Sequence, residues 1–339
     1  MVIYLILLFC ICCYGMKFSS FHMDYMSLST TTAIKGIFAL IIFFSHTMQC
    51  IELSPGFGDR AFGYPMKYLE QLMVTIFFFY AGYGIAISDK NKEGYTKGFF
   101  KKRILKTLLH FDMVVLLFLV LQFILGNRFN PENYLYCWIG WLDIGNSSWF
   151  ICVILALYVI AYVSLRLKER CSESTVVLTF SVSLLTIGLW IFLYRQKAPE
   201  HWWYDTVAVF PVGFLFYMVK RYVDTSSERI RILLTLLLVG GFVLWRHFIG
   251  IDDYGICATL FVLALTGITF FIKINNTVLQ WLGKHCFSIY MLHRIPMLLF
   301  QNTCLREMPV LFTATTLFTT LFLAWSFTKV SDRIDYTFF

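Results

Sequence analysis

The sequence predicts an all-α integral membrane protein: a polytopic bundle of about ten transmembrane helices, with an extra short helix ahead of it. Three observations carry this prediction. Of the 339 residues, 59% are apolar and 14% charged, whereas an ordinary globular domain carries about 25% charged residues. Mean hydropathy is +0.71. Apolar runs long enough to cross a hydrocarbon core follow one another almost end to end. A water-soluble enzyme or a disordered scaffold is excluded, and no length remains for a separate soluble domain.

The elements are predicted in order. Residues 1–32 are an apolar segment and lead-in. A helix over Val2–Tyr14 would reach only about 20 Å, and the segment lacks the basic start and small-residue cleavage site of a secretory signal. It is either an extra short helix or precedes a start at Met23 or Met26, and it is set outside the functional core. Spans then follow at 33–52, 67–88, 107–126, 149–166, 175–194, 203–219, 232–249, 254–272, 285–301 and 309–328. The connection 127–148 is the longest, and its Tyr134–Leu142 stretch reads as an interfacial or re-entrant piece. With Lys35 on the cytoplasmic side, the inner segments hold 19 of the 28 Lys and Arg. By the positive-inside rule this places both ends of the core in the cytoplasm, in a multi-pass plasma or inner membrane protein with a short tail over 331–339. Trp138, Trp141, Trp149, Trp202, Trp203 and Trp245 all fall near the outer boundary, where amphipathic rings prefer the headgroup level.

The formal net charge of +8 therefore reports orientation. No basic strip interleaved with aromatics is present, so no nucleic-acid partner is expected; the bilayer is the partner that composition implies. Most of the ten cysteines lie in apolar runs, and no HExxH occurs, so no metal site is expected. Cys137 and Cys304 fall on the expected outer side, where pairing is open to them.

Ionisable groups within spans are costly and are candidate functional residues. Lys35 and His46 are eleven residues apart, which is three helical turns plus about 20°, so both occupy one stripe about 16 Å apart along the axis. A cation at the inner mouth and a deep imidazole suit an amphiphilic substrate. A snorkelling lysine and a histidine bonded across helices explain the same stripe equally well. His293 lies nine residues beyond Lys284, about 13 Å deep, so two histidines on different spans reach one level. His285 is turned about 80° away from it and reads as a solvated or capping residue. The strongest basic cluster, Lys97 to Lys106, leads into the third span. Its Arg103 and Lys106 share a helix face at the expected inner surface, where a phosphate-bearing cofactor such as coenzyme A would meet them. His110 and Asp112 continue that helix inward, and a structural bond is open to either.

On these residues the chain resembles the acyltransferase family 3 membrane proteins. Lys35-x10-His46 is similar to their Arg/Lys-x10-His signature. Phe77-Phe-Phe-Tyr-Ala-Gly-Tyr83, Phe99-Phe-Lys-Lys-Arg-Ile-Leu-Lys106, Trp149-Phe-Ile-Cys-Val-Ile-Leu-Ala-Leu-Tyr158 and Gly283–His293 resemble their later motifs in the same order. The resemblance covers about 33–328, and it makes 33–330 the acyltransferase-like transmembrane domain. It departs at Ala81 for Ser, Lys106 for Arg and His110 for Pro, the last expected to straighten the third helix. It implies an O-acyltransferase moving an acyl group, acetyl by preference, from cytoplasmic acyl-CoA (acetyl-CoA) to a hydroxyl of a carbohydrate or lipid-linked surface glycan. His46 would be the catalytic base and His293 a second catalytic group. Lys35, Arg103 and Lys106 would receive the donor's phosphates. A carboxylate orienting His46 is not identifiable from the sequence, Glu70 being the best placed. The rival function is a proton-coupled solute transporter or lipid-linked-sugar flippase, which would show an inverted repeat with broken helices. A sensor or structural membrane component would not need two histidines at one depth.

Overall fold

The computed structural model describes residues 1–127, 133–171, 174–249 and 254–339; Arg128, among the expected outer charges, lies outside them. The chain is an all-α polytopic membrane protein. Its helices are α1 (Val2–Cys13), α2 (Leu28–Thr47), α3 (Phe57–Leu69), α4 (Leu72–Asn91), α5 (Tyr95–Phe99), a π-helical turn (Phe100–Leu105) running into α6 (Lys106–Ile124), α7 (Tyr134–Trp138), α8 (Trp149–Cys171), α9 (Thr175–Gln196), α10 (Val209–Thr225), α11 (Glu228–Phe248), α12 (Tyr254–Phe271), α13 (Thr277–Lys284), α14 (Cys286–Leu292), α15 (Arg294–Phe300) and α16 (Pro309–Phe338). Among the described residues, eight helical segments are long and apolar enough to cross a membrane. The other two expected spans are the 17-residue α10 and the broken pair α14 and α15, which the helical α13 precedes where an inner loop was expected. Exposed apolar side chains such as Leu117, Val120 and Phe123 on α6 and Leu233, Leu236 and Leu237 on α11 form the lipid-facing surface. Among the described residues the only strands are a two-residue antiparallel pair, β1 (Lys17–Phe18) and β2 (Ile272–Lys273).

Several boundaries shift from the sequence reading, each for a local reason. The first span starts at Leu28, because the Ser27 hydroxyl accepts the Thr30 N–H at 3.2 Å and caps a polar Ser-Thr-Thr-Thr turn into the helix. Lys35 thus lies two turns inside α2, and His46 stands in its last turn. The second span starts at Leu72, since Glu70 adopts φ 41° and ends the amphipathic α3. The sixth starts at Val209, after a 3₁₀ turn over His201–Trp203. Trp203, expected at the headgroup level, is fully buried: Lys197 Nζ sits 4.4 Å from its ring centroid and its Nε1 donates to Glu200 at 2.8 Å. His285 is a cap as expected but buried, donating from Nδ1 to the Trp281 carbonyl at 2.8 Å. Cys137 and Cys304 do not pair; the Cys137 thiol points to the Asn133 carbonyl at 3.3 Å. The residues expected as a tail continue α16 helically to Phe338.

The segment α1 packs along the bundle. Tyr4 Oη donates to the Val310 carbonyl at 2.5 Å, while Asn276 Nδ2 donates to the carbonyls of Ile11 and Tyr14 at 2.8 and 2.9 Å. Several ion pairs between segments join groups expected on the same side of the bilayer. Lys168–Asp89 and Lys106–Asp335, both at 2.6 Å, lie at one end, and Arg246–Glu70 at 3.6 Å lies at the other. Near the first end Lys273 binds Asp24, holding that carboxyl below the usual carboxylate range.

Two glycine crossings set the distances between helices. A Cβ on Gly36 of α2 would overlap the Leu279 carbonyl of α13, and one on Gly283 would overlap the Thr32 carbonyl of α2. Gly82 of α4 and Gly213 of α10 make the second crossing in the same way, against the carbonyls of Phe210 and Phe79. The first crossing clamps α2 to the helix series that carries His293. Gly283→Leu should therefore lower stability by about 1–3 kcal/mol, the range for overpacking a close-packed interface. Thermal unfolding in detergent micelles checks this; an unchanged midpoint would show that the crossing tolerates a side chain.

Candidate active site

The α2 stripe carries Lys35 and His46. The partner of His46 comes from a helix break. Pro296 has no N–H to give to the Leu292 carbonyl, so the helix ends at Leu292 and restarts at Arg294, with His293 at the junction. There His46 Nδ1 and His293 Nε2 are 2.5 Å apart, and the rings are 4.7 Å apart between centroids.

The proton positions in this pair follow from one neighbour. His293 Nδ1 lies 2.6 Å from the Tyr290 carbonyl, and a carbonyl only accepts. Nδ1 of a neutral His293 therefore carries the hydrogen, and its Nε2 accepts. His46 Nδ1 must then be the donor, which leaves His46 Nε2 as a bare lone pair. Tyr290 is itself fixed, since its hydroxyl donates to the Ser147 carbonyl at 3.0 Å.

His46 lines a cavity of about 670 Å³ with Glu70, Asp143, Trp149, Trp202 and Arg294, at the end of the bundle expected to face outward and called the outer cavity below. Among the described residues, Glu70 (φ 41°) and Ser147 (φ 52°) are the two non-glycines in the left-handed region. Both line this cavity, and strained backbone of this kind gathers at functional sites. Ile42, Val74 and Tyr290 separate it from a middle cavity of about 220 Å³, which Lys35 and Arg103 line with apolar side chains such as Ala39 and Ile154. Arg103, Thr107 and Phe287 in turn border a third cavity of about 620 Å³, which also holds Lys102, Lys106 and Lys284. The three cavities abut in series. Arg103 stands between two of them because it sits in the π-helical turn, where the Lys106 N–H reaches back to the Lys101 carbonyl. Such π turns mark functional sites in many helices.

The structure thus brings Lys35 and Arg103 to one cavity and joins His46 to His293. Among the described residues neither Lys35 nor Arg103 has a carboxylate within ion-pair distance. Lys106 is differently placed: Asp335 of α16 binds it at 2.6 Å and also binds His110 Nε2 at 2.9 Å. Glu70 shares the outer cavity with His46, but its ion-pair partner is Arg246. His46 is oriented by His293 and the Tyr290 carbonyl instead. Sequence reasoning missed this backbone acceptor, although Pro296 three residues after His293 was a visible sign of the break. It also missed Arg294 and His201, which line the outer cavity, the latter bound to Asp205 at 2.6 Å. Burial raises the Asp205 carboxyl above its ordinary range, and the bond from His201 opposes that shift.

A family profile described as an acyltransferase domain matches residues 31–329. No curated protein and no solved structure matches the chain.

The tautomer assignment has a direct check. Nitrogen NMR of histidine-labelled protein should show His46 protonated at Nδ1 and bare at Nε2. In His293→Phe that preference should be lost, because the acceptor that selects it is gone.

Proposed function

The chain belongs to acyltransferase family 3, and on that premise we propose that it is an integral-membrane O-acyltransferase with His46 as its general base. The donor is acyl-CoA, with acetyl as the acyl group, reaching the site from the cytoplasm. The acceptor is a hydroxyl of a carbohydrate or lipid-linked glycan on the other side. The observation that carries this reading is the bare Nε2 of His46, facing a cavity next in series to one lined by two cations without carboxylate partners.

The residues divide the work. Lys35 and Arg103 meet the donor's phosphates, the guanidinium fork matching phosphate oxygens and the ammonium acting as a point charge. Lys106 contributes once a phosphate competes with Asp335 for it. His46 Nε2 removes the proton of the acceptor hydroxyl, and the oxygen attacks the thioester carbon. The new C–O bond forms as the C–S bond breaks, and the leaving thiolate takes the proton back from His46. His293 stabilises the transient His46 imidazolium by accepting from Nδ1, a positioning role anchored on the Tyr290 carbonyl.

His46→Ala should abolish thioester consumption, while His293→Ala should lower kcat by about 10²–10⁴, the scale of general-base catalysis. Lys35→Ala and Arg103→Ala should mainly raise KM for acyl-CoA. Incubation of purified protein with labelled acetyl-CoA and an extract of membrane glycolipids measures all of these. Wild-type turnover in His46→Ala would refute the base. Solute flux through proteoliposomes without acyl turnover would favour transport.

A further inference from the structure

The outer cavity holds charges of both signs, and their pairing is unequal. Glu70 is engaged by Arg246 at 3.6 Å. Asp143 accepts the backbone N–H groups of Gly145, Asn146 and Ser147 at 2.7, 2.9 and 3.2 Å, so its carboxylate serves the loop that carries it. His201 is bound to Asp205 at 2.6 Å. Two cations remain. Among the described residues Lys67 and Arg294 line the cavity with no carboxylate within ion-pair distance.

Arg294 is the more telling of the two. It follows His293 directly, so the helix break that places the imidazole also places the guanidinium. One of its nitrogens, Nη1, donates to Gln49 Oε1 at 2.7 Å, in the turn that follows α2 three residues after His46. Its Nε is buried without any partner. A guanidinium offers five donors in a planar fork, and leaving a buried charged donor unmatched is costly. With Nε already shielded, the Nη donors are the ones that an oxyanion in the cavity lined by Arg294 would engage, and Trp149 and Trp202, which line the same cavity, supply aromatic surface for a sugar.

We infer that the acceptor carries an anionic group, a carboxylate or a phosphate on the sugar, and that Arg294, assisted by Lys67, reads it. This deepens the acyltransferase reading and rests on it. The anion also fixes register: with the charged substituent held at Arg294, the hydroxyl presented to His46 Nε2 is the one at a set distance from that substituent.

Binding tests the inference without requiring turnover. The full chain in micelles is titrated calorimetrically with glucose, glucuronate and glucose 6-phosphate. At least one anionic sugar should bind tenfold or more tightly than glucose, and which of the two does so identifies the anion. Arg294→Gln should abolish that preference, Lys67→Gln should reduce it, and Arg294→Lys, which keeps the charge but not the fork, should retain part of it. Unfolding midpoints verify that each variant is folded. Equal or absent binding of all three sugars by the wild type overturns the inference, as does a preference that survives in both Arg294→Gln and Arg294→Lys unchanged. His46-dependent thioester consumption alongside such a failure would reject the anionic acceptor alone and leave the transferase reading standing.

Discussion

A histidine nitrogen buried in a membrane bundle away from any cavity must be matched, because lipid supplies neither donors nor acceptors. Here one imidazole is matched by another, and the second by a backbone carbonyl. That chain from His46 through His293 to Tyr290 dictates much else in the structure. It requires a helix to break inside the bundle, which Pro296 brings about. It requires α2 and the broken series to approach closely, which Gly36 and Gly283 permit. It also requires Tyr290 to be immobile, which the Ser147 carbonyl and the Asp143-bound loop ensure.

The cavities follow from the same construction. With α2 clamped to α13, the Lys35–His46 stripe faces inward along its length, and the spaces it borders lie in series. Arg103 joins that series because the π-helical turn re-aims one residue at the approach to α6. Charge is scarce in this chain, and several of its carboxylates are paired within their own end of the bundle. Among the described residues, Lys35 and Arg103 line the middle cavity and Arg294 and Lys67 the outer one without a carboxylate within ion-pair distance, and that placement is what makes them candidates for holding ligands.

Much of this was legible in the sequence, and the remainder has identifiable physical causes. Spans could be read because lipid demands long apolar runs, and the match of depth between His46 and His293 because helical rise is fixed. Their direct contact was not, since it depends on a glycine crossing and a helix break between segments far apart in sequence. The stop at Glu70 was hidden for a similar reason: Leu69-Glu-Gln-Leu72 contains no glycine or proline, and tertiary packing holds the positive φ. Lys106 looked free because nothing near it in sequence neutralises it, whereas Asp335 arrives from the far end of the chain. The expected straightening of the third helix at His110 fits the uninterrupted α6, while the irregular turn lies earlier, at Phe100–Leu105.

In the proposed reaction, donor and acceptor meet at His46 from abutting cavities. A cryo-electron microscopy structure with a non-hydrolysable acetyl-CoA analogue tests it most directly. The account predicts phosphates at Lys35 and Arg103, with the acyl end at the Ile42–Val74–Tyr290 boundary facing His46 Nε2. An analogue bound on the lipid-facing surface, or with its acyl end out of reach of His46, would contradict it.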